Sequence, residues 1–310
     1  MTVTENEWFI QVPWGRICVL AWGSCLDPPV LLCHGAMDSA ASFRPLVKLL
    51  PKKFYYIGME LPGNGKSDRF PPGLMITIYD LVYAMDAVVR HFRWDTFAMI
   101  AHSLGAAIGK IYNISCPDKI SKYVELDPIN FVGVGPEHFP AWSVHTLQYL
   151  PLKITSLSHY FLLITFVLIF RCMLQAIETL KRVRGISEED AAATLDRWSE
   201  PAGDGLIRYT LDQRFRLVCL PPFSPEHIKT LFLNLKTPTL NIVSKQSYKK
   251  GLYRNTKFLL DEFNYPNKNY RCIKLDGNHD LHMTSPELVA LYVGQFLSGG
   301  VDALDAKAKL

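Results

Sequence analysis

One run of residues, Ile100-Ala101-His102-Ser103-Leu104-Gly105-Ala106-Ala107, restricts the possible folds of this chain more than any other. A short apolar stretch, Phe97 to Ala101, precedes the serine and reads as a buried strand. A helical apolar pattern follows it through Tyr112. A serine on so sharp a strand-to-helix turn needs small residues two positions to either side, and Ala101 and Gly105 supply them. Such a turn holds the hydroxyl clear of a sheet and next to the positive end of a helix dipole, the placement a nucleophile requires. The plain alternative is a serine that caps the helix.

The rest of the chain supplies a matching frame. Strand-like runs cover Glu7 to Val12, Arg16 to Trp22, Val30 to Cys33, Phe54 to Leu61, Phe97 to Ala101 and Ile120 to Leu126. Helical spacing covers Ser42 to Leu50 and Ile78 to Phe92, with Pro51 stopping the first. Strand, helix, strand, helix with short connections predicts an α/β fold with a mostly parallel sheet and helices on both faces. After residue 128 the rhythm breaks. Residues 129–230 show helix-like runs and no strand alternation, and the rhythm then resumes with a strand at Thr239 to Val243, a helix at Lys257 to Phe263, a strand at Tyr270 to Leu275 and a helix at Pro286 to Leu297. The expected organisation is a core of residues 1–128 and 231–300, an inserted helical cap over 129–230, and a flexible tail over 301–310. An insertion of that length is usually functional rather than a plain loop.

Composition narrows the function classes. Of 310 residues, 49% are apolar and 20% charged, which excludes a disordered chain. A net charge of +4 without a basic stripe argues against a nucleic-acid partner. Seven scattered cysteines with no Cys-x-x-Cys pair suggest neither a disulfide framework nor a zinc site. No secretory signal is evident at the start, so a reducing compartment is the simple expectation.

If Ser103 is a nucleophile, its partners follow in the chain order serine, acid, histidine. His279 lies in Asp276-Gly277-Asn278-His279, just past the strand Tyr270 to Leu275, at the sheet's carboxyl edge where ligands bind in open α/β sheets. His282 competes with it; His279 is preferred as nearer the strand end. The acid has two possible loops. Ser244 to Gly251 carries no carboxylate, whereas the other loop begins at Asp127. A carboxylate is needed to fix the histidine tautomer and stabilise the imidazolium, so Asp127 is the expected acid, its competing role being an Asp-Pro turn initiator. The loop opened by His34-Gly35 would supply one oxyanion amide, from Ala36, and Leu104 the other. His34 itself reads as a histidine bonded within its loop. Met37 and His102, beside these groups, and Phe166 in the inserted segment are the expected substrate-binding side chains.

Together these residues resemble the α/β-hydrolase superfamily, and within it the serine hydrolase-like proteins that include the insect kraken-type proteins. The segments that carry the resemblance are Val12-Pro13-Trp14-Gly15, residues His34 to Phe43, Leu61 to Ser67, His102-Ser103-Leu104-Gly105, and Gly277-Asn278-His279 with His282-Met283. They cover about 1–130 and 235–298. The resemblance implies a serine nucleophile, a two-amide oxyanion hole and no cofactor; His279-x-x-His282 could be read as a metal pair, but no third ligand cluster accompanies it, so no metal is expected. It agrees with an acid placed after the sixth strand. Aspartate is the nucleophile in the dehalogenase-like and epoxide-hydrolase relatives, so Ser103 argues against both reactions. The departures are Ala36 for a bulky aromatic, which would widen the pocket, Ala101 for Gly, and Glu60 for the usual Asp.

The expected activity is hydrolysis of carboxylic esters of a small, fairly apolar substrate. Its rivals are a catalytically weak ligand-binding protein on the same fold, and thioester or amide hydrolysis, an acyl-CoA thioesterase included. The run Tyr160 to Phe170 is too short to span a bilayer, which takes about 20 residues. It reads as a buried cap helix, as a wall of an apolar pocket, or, given Arg171, Lys181, Arg182 and Arg184 downstream, as a membrane-surface contact. Ala308-Lys309-Leu310 matches the peroxisomal C-terminal address, predicting peroxisomal rather than cytoplasmic residence and the import receptor as a partner.

Overall fold

The computed structural model describes residues 4–73, 75–129 and 171–307. Phe166, the run Tyr160 to Phe170 and the tripeptide Ala308 to Leu310 lie outside the described residues.

The strands are β1 (Glu5–Val12), β2 (Gly15–Trp22), β3 (Pro29–Cys33), β4 (Tyr55–Met59), β5 (Phe97–His102) and β6 (Ile120–Leu126). β10 (Thr239–Ser244) and β11 (Tyr270–Leu275) complete the sheet. Its order is β1-β2-β4-β3-β5-β6-β10-β11, antiparallel at β1/β2 and β2/β4 and parallel from β4 onward. The parallel strands are buried on both faces, which is why they read as unbroken apolar runs. Side chains alternate between two cores. Leu31 and Cys33 join the core under α2 (Ile78–Phe92) and α3 (Leu104–Ser115). Val30 and Leu32 join the one under α1 (Arg44–Leu49) and the C-terminal helix. α2 starts where the sequence places it because Thr77 and Asp80 form a reciprocal capping box.

Register decides where the site is built. Cys33 lies level with Ala101, His102 with Leu126, and Ser244 with Leu275. The residues that follow these strands, His34, Ser103, Asp127 and Asp276, therefore leave the sheet along one carboxyl edge.

Three sequence expectations are corrected. First, the inserted segment is not purely helical. β7 (Arg171–Cys172), α4 (Met173–Arg184) and α5 (Glu188–Trp198) are followed by a hairpin of β8 (Ser199–Gly203) and β9 (Leu206–Tyr209), and β7 pairs with β9. β8 reads Ser-Glu-Pro-Ala-Gly and is largely exposed, so it has no apolar alternation to read. After it come α6 (Pro225–Phe232) and α7 (Lys245–Lys249). Second, Lys257 to Phe263 is not one helix but two 3-10 turns, because Asp261 accepts a hydrogen bond from the Phe263 amide and restarts the chain there. Third, residues 301–307 are not a loose tail. After α8 (Leu281–Thr284), α9 (Pro286–Lys307) bends at Gly300 and continues. Val301 and Leu304 pack on the core, and Arg271 pairs with Asp305 at 2.5 Å.

Candidate active site

Ser103 opens α3 with φ 53° and ψ −116°, a strained conformation for a residue with a Cβ. The turn is held by its neighbours: the Ser103 amide donates to the Leu126 carbonyl, and the Ile129 amide donates to the Ser103 carbonyl, both at 3.1 Å. A Cβ on Gly105 would overlap the Cys33 carbonyl, and one on Gly35 would lie 3.0 Å from the Ser103 Cβ. The two glycines thus let β3, its following loop and the start of α3 close on the serine.

The three residues expected to act together are hydrogen-bonded in series. Ser103 Oγ–H donates to His279 Nε2 at 2.9 Å, and His279 Nδ1–H donates to Asp127 Oδ2 at 2.7 Å. His279 stands after β11 and Asp127 after β6, in the chain order the sequence required. Asp127 is fully buried, and its charge is met on every side. The Ser244 amide and Tyr253 hydroxyl donate to Oδ1 at 2.8 and 2.7 Å, and the Ser247 hydroxyl donates to Oδ2 at 2.5 Å. The end of β10 and the segment that follows it, which carries no carboxylate through Tyr253, thus supply three of the donors that stabilise the carboxylate after β6. The sequence carries one trace of that support, the hydroxyl side chains at Ser247 and Tyr253.

Electrostatics favour the base. Burial alone would lower the His279 pKa, but the hydrogen bond it donates to Asp127 and the charge of that carboxylate, with Asp280 adding to it, carry it above the ordinary value. His282, the competitor, is different. Burial is the main cause that pushes it down to about 3, and among the described residues neither ring nitrogen has a hydrogen-bond partner. It packs on Phe43 and on His102 and does not join the series.

The expectation that His102 binds substrate is corrected. Only 2% of it is exposed, its ring lies between those of His279 and His282, and its Nε2–H donates to the His279 carbonyl at 2.9 Å. It follows β5 directly and points under the histidine loop rather than out of it. Met37 has φ 54° and is half-buried, touching both the sheet core and the apolar cluster of α4 and α5. His34 is a loop histidine, donating from Nδ1 to the Gly35 carbonyl and accepting the Leu61 amide at Nε2. Ala36 lies in the loop that Gly35 brings against Ser103. Leu104, the first residue of α3, has an amide with no carbonyl to reach within its own helix.

Asp38, His102 and His282 are a buried group with metal-ligand spacing, their atoms within 4.8 Å of one another. Asp38 is already engaged by Arg184 and by the Ser39 amide. Arg184, one of the basic residues that the sequence offers for a membrane surface, is buried against carboxylates, and Lys181 pairs with Glu178 and Glu188. Among the described residues no helix is long and apolar enough to cross a membrane.

Glu60, the departure at the Leu-Pro-Gly turn, gains a reason. Arg197 of α5 donates to its two oxygens at 2.8 and 2.6 Å, and Lys66 N–H donates to Oε2 at 2.7 Å. Arg197 also pairs with Glu7. A shorter aspartate at this position would fall short of the arginine of the inserted segment.

A family model described as the alpha/beta hydrolase fold matches residues 28–157. The human protein named Serine hydrolase-like protein 2 is 28% identical over 309 residues, covering 94% of this chain and 94% of its own. The mouse Serine hydrolase-like protein is also 28% identical, over 95% of this chain and 96% of its own. Among solved structures, a hypothetical protein from Pseudomonas aeruginosa PAO1 superposes with a TM-score of 0.76 at 20% identity, covering 94% of this chain and 99% of that one. That likeness bears on the fold.

Proposed function

We propose that this chain, similar to the alpha/beta hydrolase fold family over residues 28–157 and to serine hydrolase-like proteins over most of its length, is a hydrolase that cleaves carboxylic esters of a fairly apolar substrate through an acyl-enzyme on Ser103. The observation that carries the reading is the continuous series Ser103–His279–Asp127 at the carboxyl edge of the sheet. Ser103 Oγ attacks the ester carbonyl as His279 Nε2 takes its proton. The tetrahedral intermediate collapses as the imidazolium returns that proton to the departing alcohol. Water then enters by the same path in reverse, releasing the acid and restoring Ser103. Asp127 keeps the Nδ1 proton on the side away from the serine and stabilises the imidazolium. The amides of Ala36 and Leu104 are assigned to the oxyanion, a role worth about 3–4 kcal/mol per donor.

Because Asp127 is held by donors from the later loop, the missing carboxylate there no longer favours a protein that binds without turnover. Thioester and amide cleavage would use the same groups, so substrate choice is the finer part of the proposal. A panel of p-nitrophenyl esters of rising acyl length, set against acyl-CoA thioesters and anilides, tests it. Ester turnover above the other classes, lost in Ser103→Ala, is expected; thioester preference would reassign the substrate class. The proposal extends to peroxisomal residence through Ala308-Lys309-Leu310. A fluorescent fusion that leaves these three residues terminal should co-localise with peroxisomes, and diffuse signal would remove the address from the proposal.

A further inference from the structure

Arg184, the last residue of α4, grips both loops that build the site. Its Nη1 and Nη2 donate to Asp38 Oδ1 and Oδ2 at 3.3 and 3.0 Å. Its Nε donates to Asp280 Oδ2 at 3.0 Å, and its Nη2 also pairs with Asp280 Oδ1. The guanidinium rests on the Trp198 ring of α5, 5.6 Å from its centroid. Asp38 stands two residues after Ala36, and its Oδ1 also accepts the Ser39 amide at 2.9 Å. Asp280 is the neighbour of His279. On the other side of that histidine, Asn278 Nδ2–H donates to the Arg184 carbonyl at 2.7 Å, and Asn278 Oδ1 accepts the Asp280 amide at 2.8 Å. Both residues that flank His279 are thus fixed to Arg184, one through its side chain and one through its backbone. Arg184 and both carboxylates are mostly buried, with side-chain exposures of 12%, 3% and 12%.

We propose that Arg184 is a positioning residue, which ties the oxyanion loop to the histidine loop so that the site is assembled only when α4 is seated on the core. The inference rests on the serine-hydrolase reading above. Two carboxylates, one from each loop, converge on Arg184, and its single planar guanidinium satisfies both. A lysine ammonium, a point donor, cannot bridge them in the same way. No bond to substrate is involved: Arg184 acts through the loops that it holds.

The test compares wild type with Arg184→Gln, Arg184→Lys and the charge-balanced double variant Arg184→Gln/Asp280→Asn. Each is checked for folding by thermal unfolding, for Ser103 labelling rate with a fluorophosphonate, and for kcat, KM and pH profile on a short-chain p-nitrophenyl ester. In Arg184→Gln, kcat should fall by about 10- to 100-fold while KM changes by less than about threefold. The charged and titratable groups facing His279 are Asp127, Asp280, Arg184, His102 and His282. Removing Arg184 takes away a positive charge near His279 and leaves the neighbouring Asp280 carboxylate unopposed, which favours the imidazolium, so the acid limb should move to higher pH. The double variant should move that limb back, and Arg184→Lys should keep the limb but lose part of kcat. A folded Arg184→Gln with wild-type kcat and an unmoved acid limb would overturn the proposal. If Arg184→Gln does not fold, wild-type kcat in Arg184→Lys would overturn it instead. Absence of labelling in wild type would defeat the serine-hydrolase reading itself, a different result from equal labelling in wild type and variants.

Discussion

Asp127→Asn isolates the acid with almost no change of shape. Asn retains one carbonyl oxygen, and the Ser244 amide and Tyr253 hydroxyl require an acceptor where Oδ1 now lies. The new amide nitrogen therefore takes the Oδ2 position, facing Ser247 Oγ and His279 Nδ1. A hydroxyl can rotate to accept. The imidazole can accept only by moving its proton to Nε2, the atom 2.9 Å from Ser103 Oγ. That nitrogen then cannot take the serine proton, and the charge that stabilised the imidazolium is gone as well. In the serine-protease example of the same change kcat drops about 10⁴-fold, equivalent to about 5.4 kcal/mol of barrier at about 1.36 kcal/mol per decade. The same size of loss is expected here, since the loop after β10 holds no carboxylate that could substitute. The assay is steady-state turnover of a p-nitrophenyl ester, with unfolding curves to show that the variant is folded. A loss under about tenfold in a folded Asp127→Asn would refute the assignment of the acid.

The acid limb of kcat/KM should follow His279, which must be neutral to act as a base. Since Asp127 and Asp280 raise its pKa, the midpoint should lie above the ordinary imidazole value of about 6.5 and activity should fall as pH drops through it, as a rate profile from pH 5 to 9 would show. Gly105→Ala should cost several kcal/mol or prevent folding, because the added methyl meets the backbone carbonyl of Cys33 and not a side chain that could move; denaturant titration reads this out. Arg197→Met should destabilise the chain by about 3–5 kcal/mol, since it strands the carboxylate of Glu60 in the interior, and Glu60→Gln in the same background should restore part of the loss. An unchanged melting curve for Arg197→Met would show that this buried pair contributes nothing.

How much was legible in the sequence follows from what each residue does. Ser103 stood out because a strained turn excludes large neighbours, and that exclusion is visible in Ala101 and Gly105. His279 and Asp127 were legible because parallel strands end along one edge, so position after a strand implies position near the serine. Arg184 and Arg197 left no such trace. Each works by reaching across from a helix whose sequence obeys only its own apolar spacing, and nothing local marks which carboxylate it will meet. The place of His102 is illegible in the sequence for a related reason. Adjacency to the nucleophile suggested contact with substrate, whereas the end of β5 turns its ring beneath the histidine loop. The β8–β9 hairpin escaped detection because its exposed first strand buries no face, and the α9 extension past Gly300 because the break looked like an end.

The most direct test of the central claim is labelling with a fluorophosphonate, read by intact mass and peptide mapping, with Ser103→Ala alongside. The account predicts one adduct per chain, located on Ser103 and absent from the variant. A folded wild-type protein that takes no adduct, or takes one on another residue, would contradict it.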